Sequence, residues 1–263
     1  WDGSVVAYLV NNPATIQSYK EHSDIVSSIK ISRDCSLFVT GSWDKTARLW
    51  SIKEHRCICV ITGHKDIVTD VNISDDIEYI LTASADRTAM ICNTISNTKR
   101  ILSGHKKAVT SIAASQNNNL CITGSEDTSA IIWSLSTGEK RITLDGHRST
   151  ISYVVFLSNN VCVTCSWDNT AKIWDATNGA LICTYAIPDS NVSQIIWKFP
   201  YCIVNRSGIY EVWKADTSSY TGRVEKCNTI YAIDKLFISN CNFKGAECND
   251  KTREILYQYG ASI

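Results

Sequence analysis

Residues 63–105 read GHKDIVTDVNISDDIEYILTASADRTAMICNTISNTKRILSGH, and the segment closes on the same Gly-His pair with which it opens. Between the two pairs lie an apolar alternation from Ile67 to Ile73, a turn at Ser74-Asp75-Asp76, and a second run, Tyr79-Ile80-Leu81-Thr82. A tight polar turn, Ser84-Ala85-Asp86-Arg87-Thr88, leads into Ala89-Met90-Ile91-Cys92 and then Lys99-Arg100-Ile101-Leu102. Four short strand-like runs joined by turn residues predict an antiparallel meander. With 3 prolines in the chain and no helical periodicity, nothing argues for helices or a parallel sheet.

Outward from this segment the pattern repeats. His22, His64, His105 and His147 stand 42, 41 and 42 residues apart, and each is followed 21 or 22 residues later by an aspartate: Asp44, Asp86, Asp127 and Asp168. A period near 41 marks an array of like supersecondary units rather than one irregular core. A residue that recurs at one offset in every unit serves the unit's own structure. Activity particular to this chain is therefore expected where the repeats differ.

The 263 residues are 44% hydrophobic and 20% charged, which suits one domain spanning 1–263. A formal net charge of zero gives no basic footprint for nucleic acid or anionic lipid, and no apolar run reaches the ~18 residues of a membrane span. The chain opens at Trp1 in the middle of a repeat, so sequence upstream is expected. Of its 12 cysteines, Cys121 aligns with Cys162, and Cys165 aligns with Gly124, as small core residues would. Cys162-x-x-Cys165 has no second pair, and on a strand the two side chains point to opposite faces, so neither a metal nor a cofactor is expected. Cysteines without a disulfide framework point to a reducing compartment. An intracellular location, cytoplasmic or nuclear, is the expectation.

The pairs Gly63-His64, Gly104-His105 and Gly146-His147, together with Lys172-Ile173-Trp174-Asp175, resemble the WD-repeat (WD40) β-propeller family. The resemblance covers four consecutive units, from His22 to about Tyr185. It implies an all-β propeller of four-stranded antiparallel blades packed radially. It also implies a hydrogen-bonded tetrad per blade: His22-Thr40-Asp44-Trp50, His64-Thr82-Asp86-Cys92, His105-Thr123-Asp127-Trp133 and His147-Thr164-Asp168-Trp174. Cys92 departs from the pattern, since a thiol is a smaller and poorer donor than an indole, and that blade is expected to be the loosest.

By the same alignment, residues 1–20 are the last two strands of a preceding blade, with 21–61, 62–102, 103–144 and 145–185 the clear repeats. Residues 186–226 and 227–263 are degenerate ones: Tyr210-Glu211-Val212-Trp213 keeps a third strand, and Ile230-Tyr231-Ala232-Ile233 opens the last. Seven blades, incomplete at the N-terminus, is the expectation; six or eight also accord with the spacing.

Histidine, threonine and aspartate are the residue types of an activated nucleophile with its base. A constellation that occurs four times is explained by blade structure, so no catalytic residue is assigned. His55 lies outside the tetrads in the turn Lys53-Glu54-His55-Arg56, and no P-loop, His-Glu-x-x-His or Gly-x-Ser-x-Gly occurs.

The blades differ just before the turn aspartate, at Trp1, Trp43, Ala85, Glu126 and Trp167. The resemblance places that position on a top-face recognition surface. Beside it lie the third and fifth residues after each histidine: Ile25 and Ser27, Ile67 and Thr69, Ala108 and Thr110, Thr150 and Ser152. The expected partner-binding set is Trp1, Ile25, Trp43, Ile67, Thr69, Glu126, Thr150 and Trp167. With no arginine among them, a phosphopeptide is disfavoured and an apolar or aromatic-anchored protein or peptide is favoured. The Trp-Asp-x-Arg of some cullin-ligase receptors is missing at Trp174-Asp175-Ala176-Thr177. The expected function is a non-catalytic interaction scaffold within a larger protein or complex. An RNA-associated scaffold is the alternative, needing a basic stripe that Lys99-Arg100 and Lys106-Lys107 are too sparse to supply, and a propeller enzyme is the remaining one.

Overall fold

The computed structural model describes residues 3–9, 12–186, 194–198, 201–206, 209–215 and 224–231, and all the regular structure in them is β. Strands β1 (Ser4–Leu9) and β2 (Asn12–Lys20) form a two-stranded sheet. Four sheets of four strands follow, each paired in sequence order: β3 (Val26–Ile31), β4 (Leu37–Ser42), β5 (Ala47–Ser51) and β6 (Arg56–Ile61); then β7 (Val68–Ile73), β8 (Tyr79–Ser84), β9 (Thr88–Asn93) and β10 (Lys99–Ser103). The third comprises β11 (Val109–Ala114), β12 (Leu120–Ser125), β13 (Ala130–Ser134) and β14 (Lys140–Leu144), and the fourth β15 (Ile151–Ser158), β16 (Val161–Ser166), β17 (Thr170–Asp175) and β18 (Leu181–Ala186). These are antiparallel meanders, as the alternation predicts. Apart from the last two residues of β18, they fall in one compact unit, residues 1–6 with 18–184.

The second unit, residues 7–17 with 185–263, holds a fifth four-stranded sheet: β19 (Gln194–Lys198), β20 (Tyr201–Arg206), β21 (Ile209–Ala215) and β22 (Val224–Tyr231). Ile230 and Tyr231, read from sequence as the opening of a further repeat, pair instead with Tyr210 and Ile209 as the outer strand of this sheet. The boundary at 226/227 therefore falls inside a strand. Residues 232–263 lie outside the described residues.

Within the first unit, the first strand of each sheet neighbours the first strand of the next, β3 to β7 to β11 to β15. Those strands are the inner edges of blades set around an axis. The core lies between blades: Leu81, Ile91 and Leu102 of one pack with Ile112, Cys121, Ile131 and Trp133 of the next, while Ile122, Ile132 and Leu144 pack with Val154, Cys162 and Trp174. Close stacking needs small residues at one point on each second strand. A Cβ on Gly41 would sit 2.7 Å from Val68 Cγ1, and one on Gly124 would sit 2.6 Å from Ile151 Cγ2. Ala83 and Cys165 hold the equivalent register positions, opposite Asp70 and Tyr153. Cys165 is thus the small buried residue its alignment with Gly124 suggested, and burial pushes its thiol pKa up.

Candidate docking face

Each hairpin between the second and third strands turns on an aspartate. In the first blade Ser42 N donates to Thr46 O (3.1 Å), Asp44 N to Ser42 Oγ (3.1 Å), and Thr46 N to Asp44 Oδ1 (2.9 Å). The residue after the aspartate then takes a left-handed conformation in all four blades: Lys45 (φ 70), Arg87 (φ 72), Thr128 (φ 73) and Asn169 (φ 64). The aspartate's other oxygen reaches the loop that enters the blade, accepting from Ser23 N, Lys65 N, Lys106 N and Arg148 N in turn. Two loops distant in sequence are thereby fixed against each other.

In the first, third and fourth blades the histidine, threonine, aspartate and tryptophan are joined by hydrogen bonds. His22 Nδ1 lies 2.7 Å from Asp44 Oδ2 and its Nε2 lies 2.7 Å from Thr40 Oγ1, onto which Trp50 Nε1 donates at 2.8 Å. His105, Thr123, Asp127 and Trp133 repeat this at 3.1, 2.8 and 2.9 Å, and His147, Thr164, Asp168 and Trp174 at 2.9, 2.7 and 2.8 Å. Because the carboxylate can only accept, His Nδ1 carries the ring proton and gives it to the aspartate; Nε2 of the neutral ring then accepts from the threonine hydroxyl, whose oxygen accepts the indole N–H. Each imidazole is neutral with both nitrogens engaged. Burial lowers the pKa of all four histidines. For Asp86 and Asp127, burial would raise the pKa. The hydroxyl of Thr88 or Ser129, the loop N–H and the histidine outweigh it and hold each near about 2.

The blade containing Cys92 keeps two of the three links, His64 Nδ1 to Asp86 at 2.9 Å and Nε2 to Thr82 Oγ1 at 2.8 Å. Where Trp133 and Trp174 reach Gly104 and Gly146, it is Met90 that lies against Gly63. A Cβ on Gly63 would lie 3.5 Å from Met90 Sδ, whereas at Gly104 and Gly146 it would lie 3.2 Å from Cη2 of Trp133 and Trp174. Met90, the chain's single methionine, extends there with its unbranched thioether. Cys92 is buried beside it, its thiol pKa pushed up to about 11. In hydrogen bonding this blade differs from the others by one lost donor, the indole N–H to the threonine.

Above the tetrads, the residues singled out for partner binding come together in pairs. Trp43 N donates to Ile25 O (2.8 Å), Ala85 N to Ile67 O (3.0 Å), Glu126 N to Ala108 O (3.0 Å) and Trp167 N to Thr150 O (2.9 Å). Trp43 and Trp167 are 43% and 61% exposed, and Glu126 is exposed, while Ile25, Ile67 and Thr150 are half-buried. Trp1 lies outside the described residues. Thr69 is half-buried and its hydroxyl donates to Val109 O at 2.5 Å in the next blade. Ser27 and Thr110 likewise donate to Val68 O and Ile151 O. These hydroxyls tie blade to blade, a use that a one-repeat reading of the sequence could not show.

The same end of the blades carries exposed Lys45, Lys65, Arg87, Lys106, Lys107 and Arg148, but also Asp24, Asp66, Glu126, Asp145 and the four tetrad carboxylates. Neither sign of charge dominates, and the two indoles are the distinctive feature. His55 is exposed in its turn, 3.4 Å from Tyr19 Oη.

Repeating four-stranded blades, each locked by a His-Ser/Thr-Asp set under a two-loop face, define a propeller of interaction type. The profile of the WD40 family (WD domain, G-beta repeat) matches residues 14–51, 55–93, 96–134 and 138–175, more than half of the chain, and the protein belongs to that family. Each match begins in or just before the outer strand of one blade and ends on the last residue of the third strand of the next, so the sequence repeat runs one strand out of phase with the blade. A solved structure described as that of U3-55K is similar over 74% of this chain and 62% of its own length, with a TM-score of 0.68 and 20% identity. BEACH domain-containing protein B of Arabidopsis thaliana is 30% identical over 56 residues, 21% of this chain and 2% of that protein. The chain thus spans less than two thirds of either. WD40 propellers generally serve as protein-interaction scaffolds.

Proposed function

We propose that this protein is a non-catalytic, intracellular docking module that holds a protein or peptide partner on the face bearing Trp43 and Trp167, as part of a larger protein or complex. The observation that carries the reading is the exposure of both indoles at positions where Ala85 and Glu126 build the same turn with the same backbone hydrogen bond. The turn does not need tryptophan, and an exposed indole is costly to keep without a partner, while tryptophan dominates binding energy at protein interfaces. Ile25 and Ile67 extend an apolar floor beside them, and Glu126 adds one carboxylate. The partner's matching chemistry is an aromatic or aliphatic anchor. A hydrolytic role is disfavoured by the tetrads themselves, since the hydroxyl that each histidine holds, on Thr40, Thr82, Thr123 or Thr164, is fully buried and out of reach of a substrate.

The test is capture of partners from lysate by the unmodified chain, by Trp43→Ala and Trp167→Ala, and by Lys53→Ala as a control at the far end of the blade. Partners held by the unmodified chain and Lys53→Ala but lost by the tryptophan variants support the reading. Identical capture by all of them, with normal folding, overturns it. RNA recovered in a salt-sensitive manner by every variant would favour the ribonucleoprotein alternative.

A further inference from the structure

Each inner strand of the four regular blades carries a β-bulge at the same place, between Val26 and Ser28, Val68 and Asp70, Val109 and Ser111, and Ile151 and Tyr153. Around it the blades are stitched by two kinds of link. Hydroxyls of Ser27, Thr69 and Thr110 donate to the carbonyls of Val68, Val109 and Ile151 in the following blade. One residue on, the side-chain oxygens of Ser28, Asp70 and Ser111 accept from the following blade's N–H at Val71, Ile112 and Val154, at 3.4, 3.0 and 3.3 Å. Both serines in this second row accept from a backbone N–H of the following blade, and each gives its own proton to Asp70 between them. Asp70 reaches both ways.

Its Oδ1 accepts from Ser28 Oγ of the preceding blade (2.8 Å) and from Val71 N of its own (2.9 Å). Its Oδ2 accepts from Ser111 Oγ and Ile112 N of the following blade, each at 3.0 Å. A side chain in contact with both neighbouring blades does so from the axial side of the ring. We propose that Asp70 is the clasp of the inner ring, one carboxyl group that holds three consecutive blades and keeps its hold when it takes up a proton.

The chemistry of its four partners makes this possible. Two are backbone N–H groups, which can only donate, and two are hydroxyls, which can turn and accept. A proton on either oxygen is given to Ser28 or Ser111, and that oxygen still has a lone pair for its N–H. Burial pushes the Asp70 pKa up; the Ile112 N–H, the Ser28 and Ser111 hydroxyls and Lys30 on β3 pull the other way. Ala83, opposite it on β8, brings no charge. An asparagine, though the same shape, fails here. Whichever way the amide is turned, its NH2 faces the N–H of Val71 or of Ile112, donor against donor.

The test compares the full chain with Asp70→Asn and with Ser28→Ala and Ser111→Ala, by thermal unfolding at pH 7 and pH 4 and by ¹³C carboxyl titration of aspartate-labelled protein. Asp70→Asn is expected to melt below the unmodified chain at both pH values. The carboxyl signal it removes is expected to titrate above the ordinary aspartate value of 3.8. Each serine variant should move that titration further up, because it deletes a donor to the charged form. Asp70→Asn melting with the unmodified chain, or a carboxyl that titrates at or below 3.8 and does not move in either serine variant, overturns the proposal. If Asp70→Asn does not fold, the serine variants decide it alone, since each removes one hydroxyl from an otherwise intact blade.

Discussion

Trp167 and Thr150 are joined by a 2.9 Å backbone hydrogen bond between the hairpin turn of one blade and the loop that enters it, and the indole mounted there is 61% exposed. The backbone of Trp167 is held for structural reasons while its side chain is left to solvent. The same division applies to Trp43 over Ile25. Removing either side chain should therefore leave folding almost untouched: Trp43→Ala or Trp167→Ala is expected to weaken a captured partner by about 2 kcal/mol or more, roughly thirtyfold. Titration of the purified partner against each variant measures this, and a melting temperature that falls as steeply as the affinity would show the indoles to be structural.

The tetrad aspartates should prove costly in both kinds of blade. Asp127→Ala strips an acceptor from His105, Lys106 N, Ser129 N and Ser129 Oγ, and Asp86→Ala does the same to His64, Lys65 N, Thr88 N and Thr88 Oγ. Each is expected to lose about 1–3 kcal/mol, by similar amounts, because the indole that the Cys92 blade lacks binds the threonine at the far side of the histidine. Chemical denaturation of the two variants checks it.

Restoring the missing tryptophan should fail on its own. Cys92→Trp adds an indole where Met90 already lies, an overpacking expected to cost about 1–3 kcal/mol. The double variant Met90→Ala/Cys92→Trp should recover part of that loss. A coupling near zero in the four-member cycle would show that Met90 does not occupy the indole's space.

Thr128 holds a left-handed conformation (φ 73) that a β-branched side chain adopts at a cost. Asn169 occupies the equivalent turn of the next blade (φ 64), and asparagine tolerates that region. Thr128→Asn is therefore expected to stabilise the protein by about 1 kcal/mol, read as a rise in melting temperature.

Acid should destabilise the protein in two stages. The tetrad histidines have pKa values below their ordinary 6.5, so the unfolded chain takes up protons first, and stability falls as pH drops below about 6.5. The tetrad aspartates have lowered values, about 2 for Asp86 and Asp127, so a second loss begins as pH falls through 3.8. Asp70 acts in the opposite sense: with its pKa raised, it adds stability at low pH that is lost as pH rises through its folded value. Melting temperatures from pH 8 to pH 3 should fall overall, and a flat profile between pH 7 and pH 4 would count against neutral tetrad histidines.

The tetrads were legible through the resemblance, and could be carried from blade to blade because every partner lies within one repeat at a nearly constant offset, so that His105, Thr123, Asp127 and Trp133 match His147, Thr164, Asp168 and Trp174. The top-face pairs were legible for the same reason. Cys92 was visible as a departure, but not that Met90 would lie against Gly63, because that contact depends on how far the thioether reaches across the sheet. Ile230 and Tyr231 were assigned one strand too late, since without a histidine and an aspartate there is no marker for where a blade ends.

By itself the sequence determined the blade: its strand order, its hairpin turns, its buried His-Thr-Asp set and the two tryptophans that the turn does not require. The strand order and the turns follow from local alternation within a 41- to 42-residue period, while the His-Thr-Asp set and the place of the tryptophans follow from the resemblance of that repeat to WD-repeat blades. The tertiary structure decided how blades meet. The pairs Gly41 with Val68, Thr69 with Val109, and Asp70 with Ser28 and Ser111 join residues 27 to 42 positions apart across the boundary between repeats. Whether two such residues touch depends on the distance and angle at which one sheet stacks on the next, which the packing of all the intervening side chains sets together.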